Sequence, residues 1–447
     1  TAEFVGDSAP LWKGVAAAMG ADKLQEAVSQ DWSNLLWAAG SLNCSVSPES
    51  PLDVTPVVQA AVKAVKAGGF AQAAPQAWSN LMWAVAKLKC TLDPESPVDV
   101  SFLLTTVVAA VKAGGSFSNA VPQAWCNLLW SAAKLGCTAA PSSPVDVSSV
   151  IAAAVARVQV GGFPQPRPQG WSNLVWAVAT MGCNTTPGSP SNVTQLIKAA
   201  LAAVTSGEFT GALPEDWAGL FWGTATLGCS IKEDSPVDVK PLVQQLVATV
   251  EKGGMQAAAA EDWVTLLQSL VQMGCTADLL GAVPTRGSER VSYLVQRAKV
   301  SAAGVVGTLG VLGALGDIKA AVALLPHLTH TTKVEGPVLL ADAIAGLTPT
   351  LAEQLQHAVS LLLPILEAGS PSHTQAQWLL NPIVPIVEVK AEEKVSSQAV
   401  PSQEVKVEEK VSDQAVPMLE EKVEEKVEEK QGELQDQAEG TNVEAQA

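Results

Sequence analysis

The chain has 447 residues, of which 48% are hydrophobic, and a formal net charge of −17 at neutral pH. It is long and apolar enough to bury a large interior, which excludes a wholly disordered protein. Lysine and arginine nowhere cluster, so it lacks the basic footprint of tight phosphate-backbone binding.

In chain order, a partial unit comes first, with Trp12 and a helical stretch from Leu24 to Val28. Its start at Thr1 is consistent with processing or a fragmentary gene model. A repeating core then begins at Trp32-Ser33-Asn34-Leu35-Leu36-Trp37, followed by Cys44. It returns as Trp78, Trp83 and Cys90; Trp125, Trp130 and Cys137; Trp171, Trp176 and Cys183; and Trp217, Trp222 and Cys229. The sixth copy keeps Trp263 and Cys275 but carries Gln268 in place of the second tryptophan. First tryptophans are 46, 47, 46, 46 and 46 residues apart. So regular a period marks a stacked array: an all-α fold, an α-solenoid of helical-hairpin repeats. Gln268 suits the end of such an array, where the outer face must be polar.

Each repeat reads as two helices. Ser143-Pro144-Val145-Asp146 supplies a turn and a helix start, since proline is tolerated in a first turn and a short acid can occupy orphan amides. An apolar stretch from Val147 to Val160 follows, and Gly161-Gly162 stops it. The second helix is expected to begin near Pro168-Gln169 and run to Gly182. Prolines at 51, 97, 190 and 236, acids at Asp53, Asp99 and Asp238, and glycine pairs at 68–69, 114–115 and 253–254 recur in phase.

On a helical wheel, Trp78, Leu81, Met82, Val85 and Leu88 share one face. Trp83 points about 140° away from Trp78. A neighbouring repeat is expected to bury both rings, with Ala84 and Ala86 allowing close approach. Ser33/Asn34, Ser79/Asn80 and Ser172/Asn173 are candidate partners for the indole nitrogens. Trp32, Trp37, Trp78, Trp83, Trp125, Trp130, Trp171, Trp176, Trp217, Trp222 and Trp263 are thus read as repeat core, with an aromatic ligand-binding ladder as the alternative.

The six repeat cysteines fall at one helix-terminal position, and equivalent positions in stacked hairpins lie roughly 10 Å apart. That is too far for a disulfide or shared zinc, and no CxxC spacing exists. They are read as small buried residues in a reducing compartment, with Cys126 incidental. Isolated basic residues recur in or near the first helices. Lys63, Lys66, Lys112, Arg157, Lys198 and Lys252 are therefore the candidate phosphate contacts.

Three regions follow: the array over 1–280, an additional helical region over 281–385, and an acidic low-complexity tail over 386–447. In the middle region, Glu289 to Ala298, Ile318 to Leu325 and Leu351 to Leu366 have helical spacing. The uncharged run Val300 to Gly316 sits at the lower edge of a membrane span and is read instead as a buried helix or glycine-interrupted hairpin. His327, His330, His357 and His373 have no matched ligand pattern, so no metal or cofactor is expected. The tail carries 7 lysines against 17 acidic residues and is expected to be disordered.

The segment Pro75-Gln76-Ala77-Trp78-Ser79-Asn80-Leu81-Met82-Trp83-Ala84-Val85-Ala86-Lys87-Leu88 resembles the signature helix of octotricopeptide and FAST/RAP-type repeats. Pro122-Gln123, Asn127, Leu129, Trp130, Leu135 and Gly136 fit the same pattern, as do Pro168-Gln169, Asn173, Val175, Trp176, Ala177, Ala179, Met181 and Gly182. The resemblance implies single-stranded RNA as partner and a role in RNA maturation, stability or translation in a chloroplast or mitochondrion. The repeat here is longer than that family's, the array is acidic, and no RAP-like domain is recognised in the sequence. A protein-binding scaffold is the competing reading, and electrostatics alone favours it. No Ser-His-Asp, metal-ligand or phosphate-loop constellation points to an enzyme or a small-molecule substrate.

Overall fold

Each repeat folds as a pair of helices joined by a glycine turn. The computed structural model describes residues 29–296 except 48, 51, 141, 162, 164 and 165, together with a few positions between 10 and 28 and Gln356 and Val359. The expected tail, the run Val300 to Gly316, the four histidines and the later middle-region helices all lie outside the described residues. Contacts divide the chain into a first unit, residues 1–212 with 219–245, and a second, residues 213–218 with 246–447.

The described residues form thirteen α-helices, one short 3₁₀ turn at Ser116–Asn119 and no β-strand. Second helices of successive repeats are α1 (Ser29–Ser41), α3 (Pro75–Lys87), α5 (Pro122–Lys134), α7 (Pro168–Thr180), α9 (Pro214–Thr226) and α11 (Ala260–Gln272). First helices are α2 (Thr55–Lys66), α4 (Ser101–Lys112), α6 (Ser148–Gln159), α8 (Thr194–Thr205) and α10 (Lys240–Glu251). In the third hairpin, α6 and α7 lie within about a residue of the bounds expected from Val147, Gly161 and Pro168.

The punctuation acts as physical chemistry requires. Asp53 Oδ1 accepts from the Thr55 amide at 2.9 Å, Asp99 from Ser101 at 2.8 Å, Asp146 from Ser148 at 2.9 Å and Asp238 from Lys240 at 3.0 Å. Each satisfies an amide that a helix start leaves orphaned. At the other end of each second helix, one residue turns left-handed: Asn43, Lys89, Gly136, Gly182, Gly228 or Gly274. The next residue is the repeat cysteine, whose amide reaches back five residues, as from Cys90 to Val85 O and from Cys137 to Ala132 O at 3.0 Å each. That is a Schellman closure, in which the residue after the left-handed one tends to be apolar and packed. All seven cysteines are free and buried.

Within the first unit the helices form two layers. Second helices touch in sequence, α1 on α3, α3 on α5 and α5 on α7, and first helices do likewise from α2 to α8. Small residues bring the second-helix row close. A Cβ on Gly40 would stand 3.3 Å from both Trp83 Cζ3 and Lys87 Cβ. A Cβ on Gly223 would stand 2.9 Å from the Val175 backbone, and one on Gly219 would strike Ser172 Oγ. This row is the α-solenoid stacking that the period predicts.

The second unit contains α11, the short α12 (Ala277–Leu280) and α13 (Val283–Gln296). α13 starts six residues before the expected Glu289, because Pro284 fits a first turn. α13 packs on α11, where a Cβ on Gly287 would meet Trp263 Cε3 at 2.9 Å.

Candidate interaction surface

The two tryptophans of a repeat have separate fates. The first are core: Trp32, Trp78, Trp125, Trp171, Trp217 and Trp263 are all buried. Three pack edge-on or tilted against a phenylalanine of the preceding turn, with centroids 4.8 Å apart for Phe70–Trp78, 5.6 Å for Phe117–Trp125 and 5.9 Å for Phe163–Trp171. The serine and asparagine partners expected for the indole nitrogens are not used: Nε1 of Trp125 and of Trp171 has no hydrogen-bond partner. The serines donate instead to their own helix, Ser33 Oγ to Gln30 O at 2.9 Å and Ser79 Oγ to Gln76 O at 3.0 Å. A carbonyl three residues back is nearer than an indole on another face.

The second tryptophans are not fully buried, in contrast to the sequence expectation. Trp37 is 42% exposed, and Trp83, Trp130, Trp176 and Trp222 are half-buried. Trp37 and Trp83 lie 6.2 Å apart by ring centroid, and Trp176 and Trp222 lie 6.3 Å apart, each pair tilted by 32°. Between them come two lysines. Lys87 Nζ stands 5.7 Å over Trp83. Lys134 Nζ stands 5.7 Å from Trp130 and 4.8 Å from Trp176. Each lysine follows its own tryptophan by four residues, so both sit on one helix face. That spacing was the available sequence signal for them.

The amides of α1 and α5 extend this face. Gln30 Nε2 donates to Asn34 Oδ1, and Gln123 Nε2 donates to Asn127 Oδ1, each at 2.7 Å. Such pairing uses the asparagine oxygen and leaves its N–H groups suited to outside acceptors. Charge is distributed along the row. α3, α5 and α7 contain no acidic residue, whereas α1 has Asp31 and α9 has Glu215 and Asp216 in the first turn. The charged residues of these three middle helices are Lys87 and Lys134.

The lysines proposed from sequence as phosphate contacts stand elsewhere. Lys63, Lys66, Lys112 and Lys198 are exposed and Arg157 is half-buried, all in the first-helix layer. Lys66 lies 5.4 Å over the Phe102 ring. With Lys63 it lines a shallow cavity of about 410 Å³ that also holds Asp99, an unsuitable neighbour for phosphate. These side chains are not brought to the tryptophan row.

In the second unit, exposed Lys252 borders a cleft of about 450 Å³ with Arg286, Arg290, Tyr293 and the acids Glu251 and Glu289. Arg290 Nε donates to Ala258 O at 2.9 Å, and its guanidinium lies 5.3 Å over Tyr293. Also in the second unit, buried Asp216 accepts from the Leu213 amide at 2.9 Å. Burial pushes its carboxyl up to about 7, with Glu215 and Asp262 adding to the rise.

Among the described residues no group of histidine, cysteine and carboxylate side chains is placed to hold a metal. No helix among them is long and apolar enough to cross a membrane. Burial raises the repeat thiols, to about 12 at Cys90 and about 11 at Cys137. Thiols this basic are poor nucleophiles and poor ligands at neutral pH. No protein-family model matches the chain, and no curated protein matches it.

Proposed function

We propose that the protein is a non-catalytic helical-repeat scaffold whose second-helix row receives a partner protein. One observation carries this reading: five indoles, spaced one per repeat, remain partly open on a face without acids at its centre. Large aromatic residues at an accessible surface are the usual anchors of protein interfaces. The test is affinity capture from native cells with the full chain and with a Lys87→Glu, Lys134→Glu double variant. A stoichiometric protein partner retained by the first and lost by the second supports the reading. Equal capture by both overturns this placement of the surface.

A second reading follows from the octotricopeptide resemblance. The same indoles offer faces on which bases of single-stranded RNA can stack, which fits an organellar RNA role. Against it, the first-helix lysines are not joined to the indole row, so phosphate neutralisation there falls to few cations. Salt-sensitive binding of an RNA oligonucleotide by the full chain, with crosslinks in the second helices, favours RNA over protein.

A further inference from the structure

We infer that the cleft in the second unit, which shares no residue with the indole row, binds a carboxylate that carries an apolar body. Arg290 takes the carboxylate, and the apolar side chains of the cleft take the body.

The cleft is built by local punctuation. Gly253, at φ 83°, turns the chain at the end of α10 and opens the segment that leads to α11. Arg290 of α13 is tied to that segment, its Nε donating to Ala258 O at 2.9 Å. The end of α10, the turn and α13 together line a space of about 450 Å³, all of it in the second unit. That volume is within the range of small-molecule sites.

Two features set the chemistry of the ligand. The first is Arg290, which is half-buried, with its guanidinium 5.3 Å from the Tyr293 ring. The ring and the bond to Ala258 O hold the plane of the fork. A guanidinium has five N–H donors, and only the one on Nε is used in that bond. The two Nη groups carry the parallel N–H pair that matches the two oxygens of a carboxylate. A fork held in advance loses little freedom on binding. Lining charge also leans towards an anion. Lys252, Arg286 and Arg290 stand against Glu251 and Glu289, and Glu289 is already paired with Arg286 at 3.0 Å.

The second feature is apolar lining. Val250, Met255 and Trp263 border the same cleft and are buried. A hydrocarbon or aromatic body laid against them leaves water. An inorganic anion would use none of this surface, so the site selects an amphiphilic acid. A free small acid and the apolar C-terminal residue of a peptide both supply that chemistry.

The chain has one tyrosine, so growth on fluorotyrosine places a single fluorine reporter at Tyr293. The full chain is titrated with phenylbutyrate, phenylbutanol and phenylbutylamine, followed by fluorine NMR and calorimetry. The acid is expected to move the fluorine resonance and to bind about tenfold or more tighter than the alcohol. The amine is expected to bind no tighter than the alcohol. Arg290→Lys keeps the charge without the fork and is expected to weaken the acid about tenfold, with unchanged far-UV circular dichroism. Glu251→Gln changes an exposed side chain on α10 and is expected to tighten it, which keeps the test decisive should the arginine variant fail to fold. Equal affinity for acid and alcohol, preference for the amine, binding of the acid without a fluorine shift, no binding at all, or weaker acid binding by Glu251→Gln overturns the proposal. Acetyl-Gly-Gly-Phe and its C-terminal amide separate the sources. Tighter binding of the peptide acid than of phenylbutyrate, lost in the amide, supports a peptide terminus as the ligand, and the reverse order supports a free acid.

Discussion

Lys134 stands closer to Trp176, 4.8 Å away on the next repeat, than to Trp130 at 5.7 Å on its own helix. The ammonium therefore ties two repeats together through their indole faces. Cation–π contacts at such half-open sites are worth about 0.5–1 kcal/mol, and Lys87 stands over Trp83 in the same manner. These lysines stabilise the row and also give it its charge.

The division between the two tryptophans can be measured. Trp125→Ala removes a fully buried ring and is expected to lose about 3–5 kcal/mol in urea unfolding. Trp130→Ala, at a half-buried site, is expected to lose about 1–2 kcal/mol. Equal losses contradict separate roles for the two positions.

Lys89 turns left-handed at φ 57° where four of the other repeats place glycine. A side chain in that conformation costs roughly 1–2 kcal/mol, offset in part by the freedom that glycine adds to the unfolded chain. Lys89→Gly is expected to raise the urea midpoint, and Gly136→Ala to lower the unfolding free energy by about 1 kcal/mol. A destabilised Lys89→Gly would show that the lysine side chain outweighs its backbone.

Asp216 gives the protein a pH dependence of definite sign. Its carboxyl titrates near 3.8 when unfolded and is pushed up to about 7 when folded, so between these values the folded state holds a proton that the unfolded state lacks. The stability it adds is complete below pH 3.8 and is lost as pH rises through about 7. Asp216→Asn removes this slope. Urea titrations of both forms at several pH values check it, and parallel profiles would refute it.

Every cysteine is buried, and the raised thiols leave little thiolate at mildly alkaline pH. Iodoacetamide is expected to leave the native protein unmodified and to add seven groups, one per free cysteine, in denaturant. Rapid native alkylation at Cys44 or Cys90 would contradict their packing.

Much of the fold was legible because its signals are local. Pro168 opens α7, Gly161 ends the preceding hairpin arm, and Asp53 caps the amide of Thr55. The 140° angle between Trp78 and Trp83 was equally legible, but not whether a neighbour would cover the second ring. That depends on an approach set across repeats by Gly40 and Ala84, which no local pattern states. The repeat cysteine was read as a small buried residue. Its place after a left-handed residue, closing the helix end, emerges only with the backbone. The basic residues read from sequence stand in the first-helix layer, apart from the indole row, and being scattered they carry no period, whereas Lys87 and Lys134 gain meaning from the rings they stand over.

Gly219 and Gly223 on α9 make the repeats non-interchangeable. At these two positions the preceding repeat has Asn173 and Ala177, and the following one has Thr265 and Ser269. Grafting either sequence into α9 would drive side-chain atoms into Ser172 and the Val175 backbone. The similarity between repeats therefore conceals a keyed joint between α7 and α9. Shuffled or duplicated versions of this array would assemble up to that joint and there lose the coupling between neighbours on which a one-dimensional stack depends.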